Sequence, residues 1–280
     1  MTSEPVMNPL DRRATHTRGY APVNGLNMYY EIEGTGAPLV YIPPALGHAG
    51  LNSFPALAER HSVIKVDLQG HGRTADISER PLSIEQYSED VVALLKHLGI
   101  AKADFLGQSY GGATAIMIAV RYPALVGRVA AYGATYGPPE IAHNRDMLRF
   151  DAPPSADARA FDFKRETYMK VAPDPDYWPR FWNKVASLEW QGFSREELAS
   201  ISARVLIILG DRDFVRVEHA VETVKRIPNA ELAVVPDSGH FALYSEHEKV
   251  IPIVQHFLEK PEAGIPVATA EMGYHPGETR

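Results

Sequence analysis

The chain has 280 residues, 45% of them hydrophobic, and a net charge of −7. That length can bury one large core with room for an insertion. The acidic balance, with no lysine/arginine stripe, argues against nucleic acid or an anionic membrane surface as a partner. There is no cysteine, which excludes disulfides, thiolate catalysis and cysteine-bound zinc. Met1 to Arg18 has no apolar h-region, so it is not a Sec signal peptide. No stretch approaches the ~18 apolar residues of a membrane span. The expectation is a soluble cytoplasmic protein.

In chain order, 1–18 is polar and aperiodic and reads as a loose tail, as does 261–280. Either tail is free to pack on a neighbour, which leaves a homodimer open. Asn24-Gly25 between alternating segments predicts a hairpin over Tyr20 to Glu33. Strands are expected at Leu39–Ile42, His61–Asp67, Lys102–Gly107, Val126–Tyr132, Val205–Gly210 and Glu231–Val235. Ser83-Ile84-Glu85-Gln86 reads as a capping box opening a helix that stops near Gly99, and a closing helix is expected from Glu246 to Leu258. This alternation implies an α/β fold with a mainly parallel central sheet and helices on both faces. Between Thr135 and Ser202 the rhythm breaks into proline-punctuated, aromatic-rich helical pieces.

The motif that says most is Gly107-Gln108-Ser109-Tyr110-Gly111. A β-type run precedes it and an Ala-rich apolar helix follows, so Ser109 sits on a tight strand-to-helix turn with its hydroxyl lifted above the sheet edge. Glycines two positions either side suit a close approach of strand and helix. Two later strands end in Gly210-Asp211-Arg212-Asp213 and Pro236-Asp237-Ser238-Gly239-His240-Phe241. Each polar group follows a strand's C-terminal end, where open α/β sheets place their chemistry.

With the order Ser109, Asp213, His240, the chain resembles the α/β-hydrolase-fold serine esterases and their close relatives, from about Gly19 to about Lys260. The turn Asp67-Leu68-Gln69-Gly70-His71-Gly72-Arg73 adds to the resemblance. It implies an α/β-hydrolase core over 19–134 and 203–260, with a helical cap over 135–202. Ser109 would be the nucleophile, His240 its base, and the acid would orient and stabilise the imidazolium. The family pattern favours Asp213. Asp211 then serves as a loop-fixing acceptor, and Asp237 is a further alternative.

An oxyanion hole needs two N–H groups aimed at the developing charge. Tyr110, after the nucleophile, should supply one. The other should come from the loop after the first parallel strand, where relatives usually carry His-Gly and this chain carries Pro43-Pro44. Proline has no N–H, so Ala45 becomes the donor, and the two prolines brace the loop, with a cis bond as one option.

Small cap helices need bulky residues to bury a face at all. A sharper reading takes a subset of Phe150, Tyr177, Trp178, Phe181, Trp182 and Trp190 as the lining of a substrate pocket, with Trp178, Phe181, Trp182 and Phe241 as the candidates. His71 reads as structural. His-Glu-x-x-His and a dinucleotide fingerprint are both missing, so neither metal nor cofactor is expected. The expected activity is hydrolysis of small to medium carboxylic esters, with a small-molecule ester as the partner. Sibling chemistries on the same residues are C–C bond hydrolysis, lactone opening and perhydrolysis. A ligand-sensing protein that keeps the fold without activity is a remote alternative. Lyase chemistry would need a cation beside the site, which no sequence pattern assigns.

Overall fold

The computed structural model describes residues 16–138, 142–143 and 162–261. Phe150 and most of the two tails lie outside them. Asn24 and Gly25 both have positive φ, 47° and 83°, the turn geometry whose twist matches paired strands. They join β1 (His16–Val23) antiparallel to β2 (Leu26–Glu33). His16, Thr17 and Arg18 pair with Glu33, Ile32 and Glu31, so the first strand begins inside the segment expected to be a loose tail. In the first half of this outer strand only Thr17 and Gly19 are half-buried, so no apolar pattern announces it.

Six further strands follow: β3 (Ala37–Ile42), β4 (His61–Val66), β5 (Ala103–Gln108), β6 (Val126–Tyr132), β7 (Arg204–Gly210) and β8 (Ala230–Val235). They form one eight-stranded sheet in the order β1-β2-β4-β3-β5-β6-β7-β8, parallel from β4 through β8. Alternate residues of each central strand face opposite layers. Val40, Ile42, Phe105, Val129, Ala131, Val205 and Ile207 belong to one apolar core. Leu39, Tyr41, Leu106, Ala130, Tyr132, Leu206 and Ile208 belong to the other. A sheet buried on both faces needs such near-continuous apolar strands.

The first layer contains α2 (Ile84–His97), α3 (Tyr110–Arg121) and α7 (Val217–Val224). The second contains the short α1 (Pro55–Ala58) and α8 (Ala242–Ser245) and the closing helix α9 (His247–Glu259). Between β6 and β7 run α4 (Asp162–Met169), α5 (Trp178–Ala186) and α6 (Arg195–Ala199). Their apolar residues Tyr168, Trp178, Phe181, Trp182 and Leu198 continue the first core. Lys184 of α5 ties this segment to the loop after β4. Its ammonium lies 2.6 Å from Asp76 Oδ2 and donates to the carbonyls of Ile77, Ser78 and Arg80, while Tyr177 donates to the same Asp76 oxygen at 2.5 Å. None of the described helices is long and apolar enough to cross a membrane.

At the start of α2, Ser83 Oγ accepts from the Gln86 N–H at 3.0 Å. The return bond of the expected capping box, from the Ser83 N–H to Gln86 Oε1, is not made; the Gln86 amide is turned along the helix, where its Nε2 donates to Asp90 Oδ1 at 3.1 Å. Ser83→Ala should therefore lower stability by about 1 kcal/mol, read as a lower urea midpoint. An unchanged midpoint would mean the remaining cap bond contributes nothing.

Candidate active site

Ser109 begins α3 with φ 55° and ψ −120°, outside the basins open to most L-residues. The local packing enforces this. A Cβ on Gly107 would lie 2.3 Å from the Gly111 carbonyl oxygen, and a Cβ on Gly111 would lie 2.1 Å from the Ile42 oxygen. Strand β5, the first turn of α3 and the end of β3 thus touch backbone to backbone. The Ser109 N–H donates to the Tyr132 carbonyl at 2.8 Å, which pins the turn to the end of β6.

The loops after β7 and β8 meet beside it. His240 Nδ1 lies 2.9 Å from Asp213 Oδ1. A carboxylate only accepts, so Nδ1 carries the proton and Nε2 keeps its lone pair. Asp213 is fixed in turn by the Val215 N–H at 2.9 Å, and both side chains are buried. Gly133, just past Tyr132, forms the wall behind them: a Cβ there would stand 2.9 Å from both Asp213 Oδ2 and His240 Nδ1. Gln108 Nε2 donates to the His240 carbonyl at 3.0 Å, and the Tyr132 hydroxyl donates to the Gly239 carbonyl at 2.6 Å. The residue before Ser109 and the residue that anchors the Ser109 N–H therefore both hold the histidine loop. Ser109 Oγ itself makes no hydrogen bond to His240, a contact that often tightens only when substrate arrives.

Asp211 is exposed and accepts from the Ser238 N–H at 3.2 Å, bracing the histidine loop from outside. Asp237 is a surface residue paired with Arg212 at 2.6 Å. Of the three acids, Asp213 is the one on the imidazole.

The loop after β3 turns tightly: Gly47 N–H donates to the Pro44 carbonyl at 2.9 Å and Leu46 takes φ 59°, an unusual value for a bulky residue. Ala45 sits at the turn's first corner. Gly111 brings this loop and Tyr110 together, since its missing side chain leaves room for the Ile42 and Pro43 carbonyls. There is no cis peptide bond among the described residues, so the brace of Pro43-Pro44 is a trans one.

Residues 34–253 match the alpha/beta hydrolase family. The chain belongs to that family. It is 29% identical over 271 residues to the dihydrolipoyllysine-residue acetyltransferase component of the acetoin cleaving system of Pseudomonas putida, covering 88% of this chain and 72% of the relative. It is 24% identical over 262 residues to the 2-hydroxymuconate semialdehyde hydrolase of Pseudomonas putida, covering 85% and 92%. Among solved structures, a carboxylesterase of Nitrososphaera gargenis superposes with a TM-score of 0.68 at 24% identity, covering 86% and 97%.

In this alpha/beta hydrolase the aromatic residues of the β6–β7 segment go mainly into packing. Trp178, Phe181 and Trp182 are 3%, 0% and 6% exposed, which leaves little ring surface to line a pocket. Phe181 stacks on Tyr168 and meets the His71 ring edge-on at 4.7 Å, so it locks the segment onto the turn after β4. Tyr177 is bonded to Asp76 and Trp190 Nε1 donates to the Thr135 carbonyl. Phe241, by contrast, is half-exposed beside the His240 ring.

Two residues packed on the histidine loop escaped sequence reasoning. The Phe214 ring lies 4.0 Å from that of His240, and only its place after Asp213 hinted at it. Lys164 of α4 lies 5.5 Å from the centre of the Phe241 ring, and no local signal marked it. His16, Glu31 and Glu33 bring possible metal ligands within 4.8 Å of one another. Lys65 already holds both carboxylates, at 3.1 and 2.6 Å, and so fills the place of a cation.

His48 and His71 are buried, and burial depresses both imidazoles to a pKa of about 4, against an ordinary value near ~6.5. The unfolded chain therefore binds more protons between those values. Their contribution to stability is complete above about pH 6.5 and is lost as pH falls toward 4. Asp67, which burial pushes up to about 6, works in the opposite direction over part of that range. Replacing one imidazole isolates its share: His71→Gln should show a smaller drop in urea midpoint from pH 7 to pH 5 than the wild type. An equal drop would mean that His71 does not titrate on unfolding.

Proposed function

We propose that this alpha/beta hydrolase cleaves carboxylic esters through an acyl-enzyme on Ser109. One observation carries the reading: a serine held at a strained strand–helix turn, beside an imidazole whose Nδ1–H is bonded to a buried carboxylate. Ser109 Oγ attacks the ester carbonyl while His240 Nε2 takes its proton. The N–H groups of Ala45 and Tyr110 bind the oxyanion of the tetrahedral intermediate. His240 then protonates the departing alcohol, and water activated by the same imidazole releases the acid. Asp213 keeps the imidazole in the tautomer with Nε2 free and stabilises its charged form.

The competing chemistry on the same residues is C–C bond hydrolysis, favoured by the likeness to a 2-hydroxymuconate semialdehyde hydrolase. A panel of p-nitrophenyl esters against a vinylogous diketo acid separates the two by kcat/KM.

Ser109→Ala should lower kcat for p-nitrophenyl esters by roughly 10⁵–10⁶-fold, and mass spectrometry of quenched wild type should find the acyl group on Ser109. Ester turnover that survived the substitution would remove Ser109 as nucleophile. Asp213→Asn should cost roughly 10³–10⁴-fold, while Asp211→Asn, which loses only an exposed loop contact, should cost less than about tenfold. The reverse ranking would reassign the acid.

A further inference from the structure

The charged side chains that avoid solvent are nearly all accounted for. Lys65 is paired with Glu31 and Glu33, Arg80 with Asp90, Lys184 with Asp76, and Arg204 and Lys260 with Glu231. Arg128 donates to two carbonyls of the C-terminal segment, Arg165 pairs with Asp162, and Arg73 sits between Glu31 and Asp67. Lys164 is the exception. Among the described residues it is the one half-buried cation whose ammonium has neither an ion pair nor a hydrogen bond. Its ammonium lies over the face of Phe241, the residue after His240.

A poorly solvated ammonium without an anion is costly, and an aromatic face recovers only part of that cost. Burial alone lowers the Lys164 pKa to about 8, so near pH 7 the group is still charged but short of partners. The field of this charge reaches His48 and His71, and each of these has an unmet polar atom. His48 Nδ1 accepts from the Gly50 N–H at 3.1 Å, which puts the proton on Nε2, a buried donor with no acceptor. His71 Nδ1 lies 2.9 Å from the Gln69 carbonyl oxygen and must donate to it. Its Nε2 is then a buried acceptor without a donor. The loop carrying Ala45 and the turn after β4 thus hold two unsatisfied imidazole nitrogens, and helix α4 holds an unpaired cation against the residue after His240.

We propose that Lys164 binds a carboxylate on the substrate, so that the preferred substrates are anionic rather than wholly apolar. This rests on the reading of Ser109 and His240 as the hydrolytic pair. The carboxylate supplies the missing counter-charge, and its second oxygen offers an acceptor to a neighbouring donor such as His48 Nε2–H. The assignment reaches beyond esters as a class to the charge the substrate carries.

Two probe pairs test it on the full-length protein. Mono-p-nitrophenyl succinate against p-nitrophenyl butyrate puts the charge on the acyl side. 4-Acetoxybenzoate against phenyl acetate puts it on the alcohol side. Wild type should favour the anionic member of at least one pair. Lys164→Met should lower kcat/KM for that member by about 10–100-fold, as expected for one charge-assisted hydrogen bond. The neutral member should change less than about threefold, and Lys164→Arg should retain most of the preference. Equal losses on neutral and anionic probes would assign Lys164 to structure and overturn the proposal, as would wild type without anionic preference in both pairs. If Ser109-dependent turnover of the neutral esters persists in those cases, the hydrolytic reading stands and only the carboxylate site falls. Complete inertness of wild type to all four esters would overturn both.

Discussion

The contact between the first turn of α3 and the ends of β3 and β5 governs the rest of the site. Gly107 and Gly111 let three backbone segments meet at distances no side chain would allow, and Ser109 is left in a conformation costing on the order of 1–3 kcal/mol. Burial of α3 in the first core and the Ser109–Tyr132 backbone bond offset that strain. The same contact brings the Pro43–Gly47 loop to Tyr110, so one packing event shapes both the serine turn and the loop expected to face it.

Around this turn, polar groups are arranged by how well each is satisfied. Asp213 Oδ1 has the imidazole and a backbone donor, while its buried Oδ2 has no hydrogen-bond partner. Asp67, deeply buried, accepts from the N–H groups of Ala49 and Arg73 and so ties the loop after β3 to the turn after β4. Lys184 is saturated by a carboxylate and three carbonyls. The ammonium of Lys164, over the ring of the residue after His240, lacks a polar partner, as do the buried Nε2 atoms of His48 and His71.

Two lysines of the β6–β7 segment show how context divides identical side chains. Both sit on helices that pack against the sheet's loops. Lys184 meets Asp76 and a ring of carbonyls and acts as an anchor. Lys164 meets an aromatic face and keeps its charge available. Helix periodicity treats the two alike, because it reports which face of a helix is apolar and not what stands opposite.

What the sequence determined by itself was local or periodic. The type I′ turn at Asn24-Gly25, the strand positions, the elbow at Ser109 and the alpha/beta hydrolase resemblance rest on signals spanning fewer than a dozen residues or on their order along the chain. The positions of Asp213 and His240 were legible because each follows a strand end, and parallel strands deliver their C-terminal ends to one edge of the sheet. The tertiary structure decided which acid meets the imidazole, since Asp211, Asp213 and Asp237 share the same two loops and differ only in where the backbone points them. It also decided that β1 starts at His16, that the aromatics of α5 are spent on packing, and that Phe214 and Lys164 lie by the histidine loop. These outcomes depend on contacts between segments far apart in the chain. A chain's short-range pattern records the propensity of each segment; the partner each segment finds is set by the packing of the whole.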